Sequence, residues 1–247
     1  MSERKKATLS NPLVRNGKTT WDCIWFGNYH QSDQTGGIKD PIKWRVLSVN
    51  ENDAFLIADQ NLEVKRFNEE NTNVTWENCT LRSWLNKDFI NTAFNSKEQD
   101  AILSTRIPQE IFRGGEYSAI DKIYLLSLEE IRNTAYGFPS HDHASDTRVS
   151  TNTPYVASKA YMNDSEMGDW WWLRSSGIDD NKASAIDDGG SIYSHGEHVR
   201  NNSSAVRPAL HLNLSASHVW SYAGTVSSEM AGEKENEQKS SNLSWLT

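Results

Sequence analysis

Residues Trp170–Leu210 read WWWLRSSGIDDNKASAIDDGGSIYSHGEHVRNNSSAVRPAL. Three tryptophans and Leu173-Arg174-Ser175 lead into a long run of small, polar and acidic residues, which closes on Val206-Arg207-Pro208-Ala209-Leu210. Within the run Ile186, Ile192 and Val199 are spaced regularly beside glycine turns at Asp188-Gly189-Gly190 and His195-Gly196. This is the spacing of short hairpin strands that bury one residue each and display the rest. The expectation is a display surface set in a sticky frame, not a catalytic pocket.

Upstream of the frame the pattern is that of a mixed domain. Cys23–Gly27, Ile42–Leu47 and Ala54–Ala58 are short β-branched and aromatic runs parted by Gly, Asn and Asp, the pattern of a meander. From 75 to 104 the period lengthens to that of helices. Thr75 is placed to cap a helix through Leu81, Trp84, Leu85, Phe89, Ile90 and Phe94, and Ser96 with Gln99 forms a capping-box pattern before a second. Ile123–Leu126 reads as a buried strand, Ser127 with Glu130 as another box, 137–153 as loop, and Thr153-Pro154 as the start of a last short helix.

The 247 residues suffice for a sizeable core, read as one domain over 21–225. A polar arm, 1–20, with room for one strand, precedes it, and a flexible polar tail, 226–247, follows. Lys and Arg number 25 against 33 Asp and Glu, a net charge of -8. That sign argues against nucleic acid and anionic membrane as partners. Arg4-Lys5-Lys6 is not followed by an apolar stretch, so no secretory signal or membrane span is expected. The expected location is the cytosol, or a phage or cell surface reached by a signal-free route.

Several clusters invite chemistry. His141, Asp142, His143 and Asp146 offer metal-ligand types, yet no third fixed ligand accompanies them, and a loop facing water is the stronger reading. Asp179, Asp180, Asp187 and Asp188 lack the alternation of an EF-hand and nothing apolar surrounds them, so a solvated acidic face is expected, without calcium or hydrolytic chemistry. Cys23 and Cys79 are the only cysteines and are expected as buried, reduced thiols. No glycine fingerprint for phosphate or dinucleotide and no nucleophile elbow is present. No cofactor is expected. Three consecutive tryptophans cannot all face one core from a strand, so one face of that strand should underlie the display surface. Arg174 and Arg207 are expected to pin the ends of the segment by stacking on rings or forking a carboxylate.

Trp171-Trp172-Leu173-Arg174-Ser175 and Val206–Leu210, with Ile24–Gly27, Pro41–Leu47 and Leu81–Asn86 upstream, resemble the signature of a bacterial domain family related to the C-type lectin and formylglycine-generating-enzyme fold. The resemblance covers about 21–214 and implies an α+β C-type lectin-like fold: small antiparallel sheets with flanking helices, the chain ends meeting in a sheet, and a long irregular C-terminal display segment over about 170–210. Members of this fold include the variable proteins of diversity-generating retroelements, in which a reverse transcriptase rewrites adenines of a variable region. An Asn codon changed at its adenines reaches Asn, Asp, His, Tyr, Ser, Ile, Thr, Gly and Arg among others, but not Trp, Met, Gln, Lys or Glu. Between Gly177 and Ala205 only Lys182 and Glu197 need another template codon, though loop composition alone favours many of the same residues.

The expected function is selective, non-catalytic binding of a protein or other macromolecule. The expected contact face is Ile178, Asp179, Asp180, Asn181, Asp187, Tyr193, Ser194, His195, His198, Arg200, Asn201 and Asn202, with Tyr193 as anchor. Two rivals stay open: a calcium-dependent sugar-binding lectin, and a formylglycine-generating-type oxidase. The second conflicts with the absence of any cysteine after Cys79.

Overall fold

The computed structural model describes residues 8–108, 118–162 and 170–229. The basic cluster Arg4-Lys5-Lys6 and the polar end of the chain from 230 lie outside the described residues. The architecture is α+β, with mostly antiparallel sheets and few helices. In chain order the elements are β1 (Leu13–Arg15), β2 (Lys18–His30), β3 (Lys39–Asn50), β4 (Asp53–Ala58), β5 (Glu63–Val64), α1 (Thr80–Trp84), α2 (Ile90–Ala93), α3 (Ser96–Ala101), β6 (Thr105–Pro108), β7 (Ser118–Asp121), β8 (Ile123–Tyr124), α4 (Leu128–Ile131), α5 (Pro154–Met162), β9 (Trp171–Ser176), β10 (Lys182–Ile186), β11 (Ile192–His198), β12 (Ala205–Val206), β13 (Ala209–Asn213) and β14 (Ser221–Glu229). A seven-stranded sheet runs β1-β2-β3-β4-β13-β8 with β14 also on β2. A five-stranded sheet runs β11-β10-β9-β12-β5, and β6 pairs with β7.

The first twenty residues are less of an arm than their polarity implies. Asn16 and Gly17 take φ of 51° and 69°, the left-handed pair of a tight hairpin, and fold β1 back on β2. Leu9 and Thr19 are buried. At the other end β14 pairs with β2 through Glu229, so the strand crosses the boundary expected at 225. The first and last strands among the described residues thus share one sheet.

The helical region obeys its signals with small displacements. Thr75 precedes a 3-10 turn, Trp76–Asn78, and the helix proper starts at Thr80, capped by the Cys79 sulfur accepting from Arg82 N. A π turn over Leu85–Phe89 joins α1 to α2. The capping box of α3 is Asn95 with Glu98, one residue before the expected Ser96 and Gln99. Ser127 and Glu130 form their expected box, and Thr153 caps α5, its Oγ1 accepting from Val156 N.

Residues 170–210 are not a long irregular segment. Three strands, β9 to β11, form an antiparallel meander, in which Trp171 and Trp172 face Ile186 and Ala185 and Ser176 faces Ala183 across a register shift, so that small residues of β10 admit the indoles. Trp171 and Trp172 are both fully buried, since β9 lies inside a sheet covered on both faces. Their N–H groups donate to Arg148 O at 3.2 Å and Lys65 O at 2.8 Å. A buried indole without such a partner would lose the hydration of its donor.

Val206-Arg207-Pro208-Ala209-Leu210 is the joint between the two sheets, with β12 in one and β13 in the other. The fully buried Arg207 lies 5.0 Å from the Trp171 ring and donates from Nε to Ala58 O at 2.8 Å, fixing the neighbouring crossing from β4 to β5. Burial, with Arg45 nearby, pushes its pKa far down against the pull of Asp59. Arg174 pairs with Glu130 and lies 5.6 Å from the Tyr124 ring. Both arginines therefore pin the segment in the way expected of them. No helix among the described residues is long and apolar enough to cross a membrane.

Candidate ligand-binding face

The β9–β11 meander sorts its side chains by depth. Ala183, Ser184, Ala185, Ile186 and Val199 are fully buried. Ile178 is 51% and Tyr193 39% exposed, and Asp179, Asp180, His195, Arg200 and Asn202 are exposed. Asn181, Asp187, Ser194, His198 and Asn201 are half-buried.

Two neighbouring patches emerge. In the first, the Tyr193 ring packs edge-on against half-buried Trp170 at 5.6 Å and lies 6.4 Å from the His195 ring. Ile178 joins it, its N–H donating to His195 O at 2.8 Å. In the second, Val199 N donates to Asn181 O at 3.0 Å and Asn201 N to His198 O at 2.8 Å, while Asn181 Nδ2 reaches Asn71 Oδ1 at 3.2 Å. The β9–β10 turn, which carries Ile178–Asn181, links the two. Asp187 stands apart at the opposite end of β10, where its carboxylate accepts from Ser191 N at 2.7 Å and closes a turn. Ser194 is engaged through its carbonyl with the Ser184 hydroxyl.

Trp170 and Asn71 belong to this face without having been expected there. Trp170 carried a signal, a ring at the edge of the display segment. Asn71 lies in the polar run Asn68–Asn73, a hundred residues upstream, and the hydrogen bonds from Asn68 N to Val199 O and from Val74 N to Asp180 O, each at 2.9 Å, bring that run here.

The link between the patches depends on glycine. A Cβ on Gly177 would stand 2.5 Å from His195 O, and one on Gly196, where φ is 83°, would stand 2.7 Å from Gly177 Cα. Backbone meets backbone there, so neither chain can yield by turning a side chain. Gly196→Ala is expected to destabilise the fold by at least about 1–3 kcal/mol, read by urea denaturation. A change under about 0.5 kcal/mol, the scale of an ordinary surface substitution, would contradict this packing.

The loop beneath the face is tied by charge. Asp142 accepts from Arg132 Nε and Nη2 at 2.7 Å each, while its carbonyl accepts from Ile192 N at the start of β11. The hydrogen bond from Arg132 holds the Asp142 carboxyl below its usual range, against some burial. A depressed folded pKa contributes stability that is complete above the unfolded value of about 3.9 and disappears as pH falls through the lower folded value. Asp142→Asn should therefore flatten part of the stability loss below about pH 4 in acid titrations followed by circular dichroism. An unchanged acid limb would remove Asp142 from that account.

Within the acidic and imidazole clusters, Asp142 and Asp187 have structural tasks, forking Arg132 and closing a turn. Asp179 pairs with Lys182 at 3.1 Å, and the His141 and His143 rings stand 5.7 Å apart beside the Asp142–Arg132 fork. Among the described residues, no three His, Cys, Asp or Glu come close enough to hold a metal ion. Cys23 and Cys79 are free and buried, and burial above all pushes each thiol up to about 12.

A family model described as a domain of unknown function, DUF6273, matches residues 51–214. No curated protein matches the chain, and no solved structure does. The match runs from the β3–β4 turn to the end of β13 and includes the whole candidate face. Since the match spans more than half of its length, the chain belongs to the DUF6273 family.

Proposed function

We propose that this protein binds a protein or other macromolecular ligand without catalysis, through the face carried by Tyr193, Trp170, His195, Ile178 and the Asn181–Asn201 corner. The observation that carries the reading is the exposure of Tyr193 and Ile178 on a meander whose strands β9 and β10 are almost wholly buried. An amphipathic ring on a rigid strand supplies contact area at low entropic cost, and Asn, Asp and Ser around it supply adaptable hydrogen bonds.

The finer reading is a C-type lectin-like domain acting as the variable protein of a diversity-generating retroelement. Three features support it. The first and last strands among the described residues share a sheet, the segment hangs between a Trp-rich strand and the Val206–Leu210 joint, and exposed positions such as Asp179, Asp180, Tyr193, His195, Arg200 and Asn202 are residues an adenine-mutated Asn codon reaches. Lys182 and Glu197, which such a codon cannot supply, are half-buried in the ladder between β10 and β11.

DNA flanking the gene tests this. The expected result is a near-copy of the 170–210 coding stretch beside a reverse transcriptase, differing at adenines in the codons of exposed positions. Flanking DNA without such a copy overturns the diversification and leaves a binding face of fixed specificity. Calcium titration by calorimetry separates the lectin alternative, for which a saturable heat is required and for which the present reading expects none.

A further inference from the structure

On the seven-stranded sheet, sharing no residue with the display face, a cavity of about 280 Å³ opens between β2 and the start of β14. Trp25, Trp220, Phe26, Glu98, Asn28 and His218 contribute to its lining. Its size is near the lower end of small-molecule sites.

Three observations select the chemistry of an occupant. Glu98 is only 9% exposed, and although its Oε2 accepts the Asn95 N–H at 2.8 Å in the α3 cap, the carboxylate has no ion-pair partner among the described residues. A negative charge so placed is stabilised by any cation that can reach it. Next, no Lys or Arg lines the cavity, so Glu98 disfavours an anionic ligand and His218 is the one basic side chain in the lining, among the described residues. Finally, Trp220 lines the cavity while its Nε1 is buried and without an acceptor among the described residues, so that donor is not offered to an occupant. Trp25, 40% exposed, adds a second indole. Electron-rich rings beside a carboxylate attract ammonium groups.

We propose that this cavity binds an organic ammonium group, the charge seated between the indoles of Trp25 and Trp220 and the carboxylate of Glu98. A small free amine and a lysine side chain share that chemistry. No covalent step is involved, and the proposal stands independently of the display face.

The test is a titration of the full chain with n-butylammonium chloride at constant ionic strength, following the indole N–H resonances of Trp25 and Trp220. Saturable shifts of these two signals are expected. Affinity should fall about tenfold in Glu98→Gln, which keeps an acceptor for Asn95 N–H but loses the charge, and by a similar factor in Trp25→Ala. If Glu98→Gln fails to fold, Trp25→Leu replaces it, since leucine keeps apolar area and removes the ring quadrupole. Nα-acetyl-lysine amide binding more tightly than butylammonium supports a peptide source, and weaker binding supports a small amine. Absence of saturation, saturation undiminished in the variants, or saturation by glucose in place of the ammonium salt would overturn the proposal.

Discussion

Trp172→Ala is expected to lower the unfolding free energy by about 3–5 kcal/mol, whereas Tyr193→Ala, on a neighbouring pair of strands, costs no more than about 1 kcal/mol. The two rings differ in what they touch. Trp172 is fully buried opposite Ala185, packs edge-on against Phe67 at 5.7 Å and donates to Lys65 O, so its removal leaves both a void and an orphaned carbonyl. Tyr193 has Trp170 and His195 as ring neighbours and is 39% exposed. Urea denaturation followed by far-UV circular dichroism measures both. Equal losses would mean that the display face is part of the core.

The second large effect is expected at Arg148. Its side chain is fully buried and its guanidinium donates to carbonyls rather than to a carboxylate: Ile131 O, His143 O, Gly190 O, Pro139 O and His141 O. Burial lowers its pKa to about 10, partly opposed by Asp142. Arg148→Met fills much of the volume but orphans several buried acceptors at about 1–3 kcal/mol each, for a total loss of at least about 3 kcal/mol. Arg148→Lys retains the charge but cannot span the fork and should lose nearly as much. Because Gly190 O belongs to the turn between β10 and β11, hydrogen exchange should rise in that hairpin first. A variant as stable as the parent would show that the 139–148 loop is held by something else.

Arg148 also marks where the sequence stops being legible. The run 137–153 reads as loop by composition, yet Ser145, Thr147, Arg148 and Ser150 are all buried, because one guanidinium satisfies enough carbonyls to let a polar loop enter the interior. Nothing local announces that. Other misses were local and recoverable: Asn16-Gly17 is a hairpin turn signal inside what reads as an arm. The α3 box slid by one residue because Asn95 and Ser96 are both good caps, and Glu98 and Gln99 both good partners.

Elements with strong punctuation are legible in the sequence. Ser127 with Glu130, Thr153-Pro154, and Arg174 and Arg207 beside aromatic residues all occupy the positions their chemistry implies. The paired burial of Trp171 and Trp172 was not foreseeable from alternation, since a strand with both faces covered obeys a long-range rule. In the candidate face, exposed turn residues were read from the sequence, while Asn71 arrives from a distant loop and Asp187 turns its carboxylate into its own turn.

The central claim is that a rigid frame tolerates change on its outermost turns. Its most direct measurement is protease resistance across a library in which Ile178, Asp179, Tyr193, His195, Arg200 and Asn202 are randomised together on the intact frame. Most members should resist proteolysis as well as the parent, since all six positions are exposed and surface substitutions each cost within about 0.5 kcal/mol. Resistance confined to members that keep the parental residues would contradict the claim.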